Sequence, residues 1–150
     1  RKEELQKQKA DARKLLDPDV RFRILLVEDN AINQKVSTML LKQLHQQVEL
    51  AENGKVAVEK ASEKDYDLIF MDLHMPLMDG YEATSRIRVQ ELEEGRKSAF
   101  IVAVTANAAP EDKEKCFSVG MDEYIYKPFK KDNLVSIFNQ LILKKRENEG

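Results

Sequence analysis

Five side chains with acid, hydroxyl or amine groups stand directly after short apolar segments of this 150-residue sequence. Glu28 and Asp29 follow ILLV, Asp72 follows DLIFM, Thr105 follows FIVAV, and Lys127 follows YIY. Taken one at a time, an acid in such a position is most often a helix cap or turn residue. A threonine that ends a strand usually just fits the sheet. Their shared placement, rather than any single residue, indicates chemistry.

This set of side chains suits the transfer of a phosphoryl group. Three carboxylates that meet repel each other unless a positive charge neutralises them. A divalent cation such as Mg²⁺ (or Mn²⁺) prefers oxygen ligands, commonly carboxylates with waters and phosphate oxygens. A lysine adds a second positive charge, and a threonine hydroxyl can donate to a phosphate oxygen. A carboxylate such as Asp72 can then act as the nucleophile and form an aspartyl phosphate.

The elements that must position these groups alternate between strands and helices. Uninterrupted apolar runs at ILLV, DLIFM and FIVAV are typical of strands covered on both faces, and shorter strands are predicted at 48–51 and 124–126. Apolar residues at helical spacing predict helices at 31–45, from Val56 onward, and at 81–94, 109–119 and 131–145. Strand and helix thus alternate five times, which predicts a parallel sheet with helices on both faces. Ligands of such sheets bind at the carboxyl ends of the strands, where all these polar groups should meet.

The sequence before residue 20 is predicted to lie outside this domain. Residues 1–16 are rich in the strong helix formers Lys, Glu, Gln, Ala and Leu and contain no glycine, proline or β-branched residue. The Asp17-Pro18-Asp19 tripeptide should end that helix, because proline removes a backbone donor and disfavours helix in the residue before it. We assign 1–19 to a helical linker, 20–146 to the domain, and 147–150 to a charged C-terminal tail.

The composition argues against several classes of protein. The net charge of -2, from 25 basic and 27 acidic residues, gives no reason to expect binding to nucleic acid or to an anionic membrane. The single cysteine, Cys116, excludes an internal disulfide and fits a reducing compartment. No apolar run approaches the roughly 20 residues that span a bilayer. We therefore expect a cytoplasmic domain that makes no membrane contact, with a monomer as the expected state.

Four motifs occur in order along the chain: ILLVEDN, IFMDLHMPLMDG, VAVTA and YIYKPF. In that combination, over about residues 22–145, the chain resembles the receiver domain of two-component response regulators. The resemblance implies a flavodoxin-like α/β fold, a doubly wound five-stranded parallel sheet in the order 2-1-3-4-5 with five helices. It also implies a phosphorelay function, in which the domain accepts a phosphoryl group from a phosphohistidine and then changes its partner-binding face. Such a domain is not a turnover enzyme by itself.

The resemblance assigns roles to the polar residues of these motifs. Asp72 is similar to the phosphoacceptor of the family, and Glu28 and Asp29 to the acidic pair that holds Mg²⁺ (or Mn²⁺). The backbone carbonyl of His74 is implied as a further metal ligand. Lys127 is similar to the lysine that bridges the acceptor and the phosphate.

The resemblance also implies a conformational change. Thr105 is similar to the hydroxyl that moves onto the phosphoryl group, and Tyr124 to an aromatic residue that turns inward as the threonine moves. The Lys127–Pro128 peptide is implied to be cis. The remaining matched positions, which shape the loops around the site, are Pro76, Gly80, Ala106 and Pro128.

The segment VEDNAINQKV is most similar to the receiver modules of hybrid sensor histidine kinases. We therefore predict a hybrid kinase as the parent protein, with residues 1–19 as the connector from its kinase core; a stand-alone receiver is the alternative. The predicted partner is a histidine kinase domain or a histidine phosphotransfer protein. Such partners commonly dock on the first helix, although we predict core burial for most of its stripe, Val36, Met39 and Leu40.

Three other functions are alternatives to the phosphorelay function. A hydrolase of the haloacid dehalogenase type also attacks through an aspartate at a strand end, but it needs a second aspartate where this chain has His74. A flavin-binding module needs a loop rich in Ser, Thr and Gly after the first strand, and Glu-Asp-Asn would repel phosphate there without a metal. A degenerate receiver that only binds partners would show no metal-dependent response to beryllofluoride or acetyl phosphate.

Overall fold

A computed structural model describes residues 20–106 and 109–149 of the chain, with side chains described to residue 144. Five parallel strands form one sheet in the order β2-β1-β3-β4-β5. The strands are β1 (Ile24–Val27), β2 (Val48–Ala51), β3 (Leu68–Asp72), β4 (Phe100–Thr105) and β5 (Glu123–Tyr126). The helices are α1 (Ala31–Gln43), α2 (Gly54–Glu63), α3 (Gly80–Glu94), α4 (Pro110–Ser118) and α5 (Lys131–Glu149). The predicted fold and strand order are confirmed.

Two helices have C-terminal ends that lie two or more residues from the predicted boundaries. Helix α1 stops at Gln43 instead of residue 45, because the backbone turns left-handed at His45, with φ of 63°. Helix α5 continues to Glu149, into the stretch that we assigned to the charged tail, since that stretch consists of helix-forming residues. The linker predicted at 1–19 lies outside the described residues.

The sheet is buried between two apolar layers because the side chains of each strand alternate between its faces. Every residue of β1, β3 and β4 is buried. Leu25, Ile69 and Ile101 point into the layer beneath α2, α3 and α4, and Phe70 points into the opposite layer with Phe138 of α5. Burial on both faces explains the uninterrupted apolar runs in the sequence.

Three helices begin at the carboxyl edge of the sheet with a side-chain cap. The Asn30 side chain accepts hydrogen bonds from the backbone N–H groups of Ile32 and Asn33, at 2.9 and 3.0 Å. Asn53 caps α2 and Asp79 caps α3 in the same manner. Such caps satisfy otherwise unpaired N–H groups of the first turn. They therefore fix where the chain turns from strand to helix, beside the predicted site.

Gly80 begins α3 directly against the end of β3. A Cβ atom at Gly80 would lie 2.3 Å from the carbonyl oxygen of Asp72, closer than any side chain tolerates. The Gly80 N–H also donates to the carbonyl of Leu73, at 3.0 Å. Glycine at this position lets the helix approach the strand that carries the central aspartate.

An ionic network around Arg88 of α3 lies at the amino edge of the sheet, away from the predicted site. The Arg88 guanidinium contacts carboxylates of Glu91 and Asp122, at 2.8 and 2.9 Å. It also donates to the backbone carbonyls of Ala99 and Gly120, at 2.8 and 2.9 Å. The network joins α3 to the segments that lead into β4 and β5.

Candidate active site at the carboxyl edge of the sheet

The three acids predicted to converge do meet at the carboxyl edge of the sheet. Oxygen atoms of Glu28, Asp29 and Asp72 all lie within 4.8 Å of one another. Glu28 and Asp29 directly follow β1, and Asp72 is the last residue of its neighbour β3. Glu28 and Asp72 are each only 4% exposed, whereas Asp29 is open to solvent. The cluster therefore combines two buried carboxylates with one accessible carboxylate.

Lys127 brings a positive charge to two of these acids. Its Nζ atom lies 3.0 Å from Oδ2 of Asp72 and 3.0 Å from Oε1 of Glu28. The lysine follows β5, and its backbone N–H donates to the carbonyl of Thr105 at 2.8 Å. The Lys127–Pro128 peptide is cis, as the resemblance implied. One ammonium does not balance three carboxylates, so the site keeps an excess of negative charge.

The charges in this cluster alter each other's ionisation. Burial raises the pKa of Glu28, and the neighbouring carboxylate of Asp72 raises it further, while Lys127 acts in the opposite direction. Burial alone would lower the pKa of Lys127, but its hydrogen bonds to Asp72 and Glu28 raise it overall. Lys127 is therefore a firmly charged ammonium, and Glu28 gains a proton more readily than an ordinary glutamate.

Both oxygens of Asp72 have a hydrogen-bond donor from the chain. Oδ2 accepts from Lys127, and Oδ1 accepts from the backbone N–H of His74 at 3.2 Å. The His74 side chain is exposed, and it is the backbone of this residue that contacts Asp72. These contacts hold the Asp72 carboxylate in one orientation at the floor of the site.

A small cleft that is open to solvent lies beside Asp72. Val36 and Ser37 of α1 form part of one wall, and Pro128 and Phe129 form part of the other. The cleft connects the acidic cluster to the surface of α1.

Thr105 lies on β4, the strand next to Asp72, and Tyr124 lies on β5, one strand further from it. Thr105 ends β4 and is buried, one residue beyond Val104, which is paired with Asp72. Tyr124 lies in β5 opposite Ala103 and is half-buried. The hydroxyl and the aromatic ring are therefore on neighbouring strands that both end at the site.

The loop residues implied by the resemblance surround the same edge. Ala106 is exposed directly after Thr105. Pro76 begins a tight turn in which its carbonyl accepts from the N–H of Met78, at 2.8 Å. The residue between them, Leu77, has a left-handed backbone with φ of 69° and is 83% exposed. The turn therefore places an apolar side chain in solvent at the rim of the site.

The predicted core burial of the α1 stripe is wrong for two of its three residues. Val36 is 45% and Met39 is 63% exposed, and only Leu40 packs partly against the core. The helix instead turns Ser37 and Leu41 towards the sheet. Helical spacing identifies an apolar face but not which neighbour covers it. Together with exposed Ile32, the stripe forms an apolar surface beside the cleft.

Sequence reasoning missed one residue that supports the acidic pair. The side-chain amide of Gln34 donates to the backbone carbonyl of Glu28, at 2.6 Å. This bond ties the first turn of α1 to the end of β1. A polar residue in the first turn of the predicted helix at 31–45 was the available signal.

A sequence model of the response regulator receiver domain matches residues 24–139. The chain belongs to this family. Curated relatives of this receiver domain include two hybrid signal transduction histidine kinases of Dictyostelium discoideum. Kinase K is 37% identical over 150 residues, with 96% of this chain and 12% of its own length covered. Kinase B is 44% identical over 123 residues, with 75% of this chain and 6% of its own length covered. The receiver domain thus spans a small part of such relatives.

Solved structures agree with the fold of this receiver domain. The receiver domain of sensor histidine kinase PA1611 from Pseudomonas aeruginosa PAO1, with a magnesium ion in its active-site cleft, is 42% identical. That alignment has a TM-score of 0.73 and covers 82% of this chain and 98% of the other. The receiver domain of Ssk1, solved with the Saccharomyces cerevisiae histidine phosphotransfer protein Ypd1, is 34% identical, with a TM-score of 0.77 and coverages of 83% and 91%.

The described helices include no candidate membrane span. Within residues 20–106 and 109–149, each helix falls short of the length or the apolar content that a bilayer-spanning segment requires.

Proposed function

We propose that this receiver domain accepts a phosphoryl group from a phosphohistidine onto Asp72 in a reaction that needs Mg²⁺ or Mn²⁺. The observation that carries the proposal is the meeting of three carboxylates around one edge, with Lys127 bonded to Asp72 at 3.0 Å. A buried carboxylate held between an ammonium and a metal-binding pair is arranged to react with a phosphoryl group. A carboxylate that serves only as a helix cap needs none of these neighbours.

The donor set fits a hard divalent cation. It consists of oxygen ligands only, and it carries more negative than positive charge. Glu28, Asp29 and Asp72 would hold the metal together with the backbone carbonyl of His74. When bound, the metal neutralises charge that builds up on the phosphoryl oxygens. The magnesium ion in the cleft of the 42% identical receiver domain of PA1611 supports this assignment.

The transfer itself needs few groups of the chain. A carboxylate oxygen of Asp72 attacks the phosphorus atom in line, the P–N bond breaks, and its electron pair stays on the donor imidazole. Lys127 keeps its proton and stabilises charge on the acceptor and the transferred group. Thr105 then donates its hydroxyl proton in a hydrogen bond to a phosphoryl oxygen. Tyr124 turns inward, and the face formed by α4, β5 and α5 changes shape as a population shift.

Phosphotransfer from a phosphorylated histidine phosphotransfer protein tests this function. We expect label to move to the chain when Mg²⁺ is present and to stay on the donor when the metal is chelated. The modified residue, mapped by mass spectrometry, should be Asp72, and the bond should be cleaved by hydroxylamine as acyl phosphates are. Label on another residue, or transfer that ignores chelation, would refute the proposal.

The wider setting is inferred from the relatives and the α1 surface. We infer that the parent protein is a hybrid histidine kinase, and that the chain is a cytoplasmic, monomeric module without turnover of its own. Its donor is a histidine kinase domain or a histidine phosphotransfer protein, as in the complex of Ypd1 with a receiver domain 34% identical to this one. The exposed residues Ile32, Val36 and Met39 beside the cleft offer such a partner an apolar contact.

The contribution of Lys127 can be measured by replacing it with methionine. Lys127→Met keeps most of the side-chain length and removes the charge, so the transition state loses one stabilising donor. We expect the single-turnover rate of phosphotransfer to fall about 10²-fold. Lys130→Met, an exposed lysine three positions further on, is the matched control and should transfer at the wild-type rate. Equal transfer rates for the two variants would show that Lys127 does not contribute to the reaction.

Metal affinity should depend on pH through Glu28. Its pKa is raised by burial and by Asp72, and a protonated carboxyl cannot bind Mg²⁺. Affinity should therefore fall as the pH drops through the pKa of Glu28, starting at a higher pH than for an ordinary glutamate near about 4.3. Calorimetric titration with Mg²⁺ at a series of pH values, compared with Glu28→Gln, measures this. Glu28→Gln should bind more weakly and with a flatter profile; an unchanged slope in that variant would contradict the assignment.

A further inference from the structure

Helix α4 is held in place mainly by contacts at its surface. Cys116 is the only one of its residues that is buried. Its N-cap position, Ala109, makes no side-chain hydrogen bond to the first turn. A helix with so little buried surface depends on its remaining side chains to fix its position.

Lys113 of α4 supplies one of these contacts, and its partner is Tyr124. The ammonium of Lys113 lies 4.6 Å from the centre of the Tyr124 ring. Phe117, also from α4, meets the same ring edge-on at 6.1 Å, and Tyr126 does so at 5.9 Å. The Tyr124 ring is therefore enclosed by two side chains of α4 and one of its own strand.

The neighbouring side chains of Tyr124 and then Tyr126 raise the pKa of Lys113. The lysine therefore stays charged, and a charged ammonium is attracted to the face of an aromatic ring. The charged ammonium therefore adds an attraction to the Tyr124 ring beyond the edge-on contact of Phe117.

We propose that Lys113 is a positioning residue that holds Tyr124 against α4 in the unphosphorylated domain and so raises the threshold for switching. The inference rests on the proposed function, in which Tyr124 turns inward after Asp72 is phosphorylated. That turn separates the ring from the ammonium and from Phe117. These contacts stabilise the resting state and are lost in the active state. Their free energy therefore adds to the free-energy difference between the two states that phosphorylation must overcome.

The size of the effect follows from the exposure of the contact. A single cation–π contact near the surface shifts an equilibrium by about two- to fivefold. Lys113→Met removes the charge and keeps the apolar stem. We expect this variant to bind beryllofluoride, at saturating Mg²⁺, about two- to fivefold more tightly than the wild type.

Helix α4 offers a matched control. Lys115 lies over another ring, with its ammonium 4.3 Å from the centre of Tyr81 in α3. Lys115→Met removes the same charge from the same helix without touching Tyr124, so it should leave beryllofluoride affinity within about 1.5-fold of the wild type. Lys113→Arg keeps a cation over the Tyr124 ring and should bind beryllofluoride with the wild-type affinity.

A second measurement reports on the ring directly. Ring signals of Tyr124, assigned by comparison with Tyr124→Phe, can be followed by NMR with and without beryllofluoride. In Lys113→Met the resting signal should move towards its beryllofluoride-bound position, while in Lys115→Met it should not. A variant that had only lost stability would not move that signal along the line between the two states.

The outcomes separate the two proposals. If the wild-type domain shows no Mg²⁺-dependent response to beryllofluoride, the proposed function fails and the role of Lys113 fails with it. If the wild type responds but Lys113→Met behaves like Lys115→Met in affinity and in the Tyr124 signal, only the role of Lys113 is overturned.

Discussion

Replacing Asp72 with asparagine is expected to reduce phosphoryl transfer by more than about 10³-fold and to leave the domain folded. An amide is a poor nucleophile and cannot give an acyl phosphate, so the reaction loses its acceptor. The amide oxygen can still accept a hydrogen bond from Lys127 or from the backbone of His74, which preserves the local geometry. Single-turnover transfer from a phosphorylated histidine phosphotransfer protein measures the loss.

A control residue, Asp67, lies at the other end of the strand that carries Asp72. Asp67 directly precedes β3, and its Oδ2 atom accepts from the backbone N–H of Arg23 at 2.8 Å. An asparagine can keep that bond, so Asp67→Asn changes the same charge at the opposite end of the strand. We expect it to be labelled at the wild-type rate. Labelling of Asp72→Asn at a comparable rate would place the acceptor elsewhere.

The Asp72→Asn variant should also change the pKa of Glu28. Because the Asp72 carboxylate is one reason for the raised pKa of Glu28, its neutralisation should lower that pKa. NMR titration of the Glu28 carboxyl in both proteins measures the difference. A pKa of Glu28 that does not change would mean that burial alone accounts for the shift.

Replacing Arg88 with methionine is expected to lower the free energy of unfolding by about 3–5 kcal/mol. The Glu91 side chain, only 9% exposed, would lose the guanidinium that contacts it at 2.8 Å. The carbonyls of Ala99 and Gly120 would lose a donor as well. Small domains have about 5–15 kcal/mol of stability in total, so a large share would be lost. Urea unfolding followed by circular dichroism gives the value.

Arg86 of the same helix provides the comparison. It pairs with Glu82 at 3.0 Å, but both side chains are more than half exposed. Surface pairs of this kind contribute about 0–1 kcal/mol, so Arg86→Met should change stability little. If Arg88→Met were no more harmful than Arg86→Met, the network at the amino edge would not be a source of stability.

Much of this architecture could be predicted from local patterns. Runs such as ILLV and FIVAV identify buried parallel strands, because both faces of each strand are covered. The order of strand and helix then places Glu28, Asp72 and Lys127 at one edge, since parallel strands end on the same side. The site could be predicted to this extent because its residues follow directly from strand ends.

Contacts that depend on side chains distant in sequence could not be predicted in this way. Arg88 and Asp122 are 34 positions apart, and nothing local marks them as partners. The predicted core burial of the α1 stripe is wrong for a related reason. Its helical spacing fits packing against the core and contact with a partner molecule equally well. The close approach of Gly80 to Asp72 depends on the angle between a helix and a strand, which a glycine in a motif does not reveal.

The ionic network of Arg88 and the acidic cluster lie at opposite ends of the same strands. A phosphoryl group that arrives at Asp72 therefore does not contact the Arg88 network at the other end of the strands. Substitutions near the Arg88 network can therefore change the stability of the folded protein, while substitutions near the acidic cluster change phosphoryl transfer. Each set should have little effect on the property that the other set controls. Substitutions at the two ends should have additive effects.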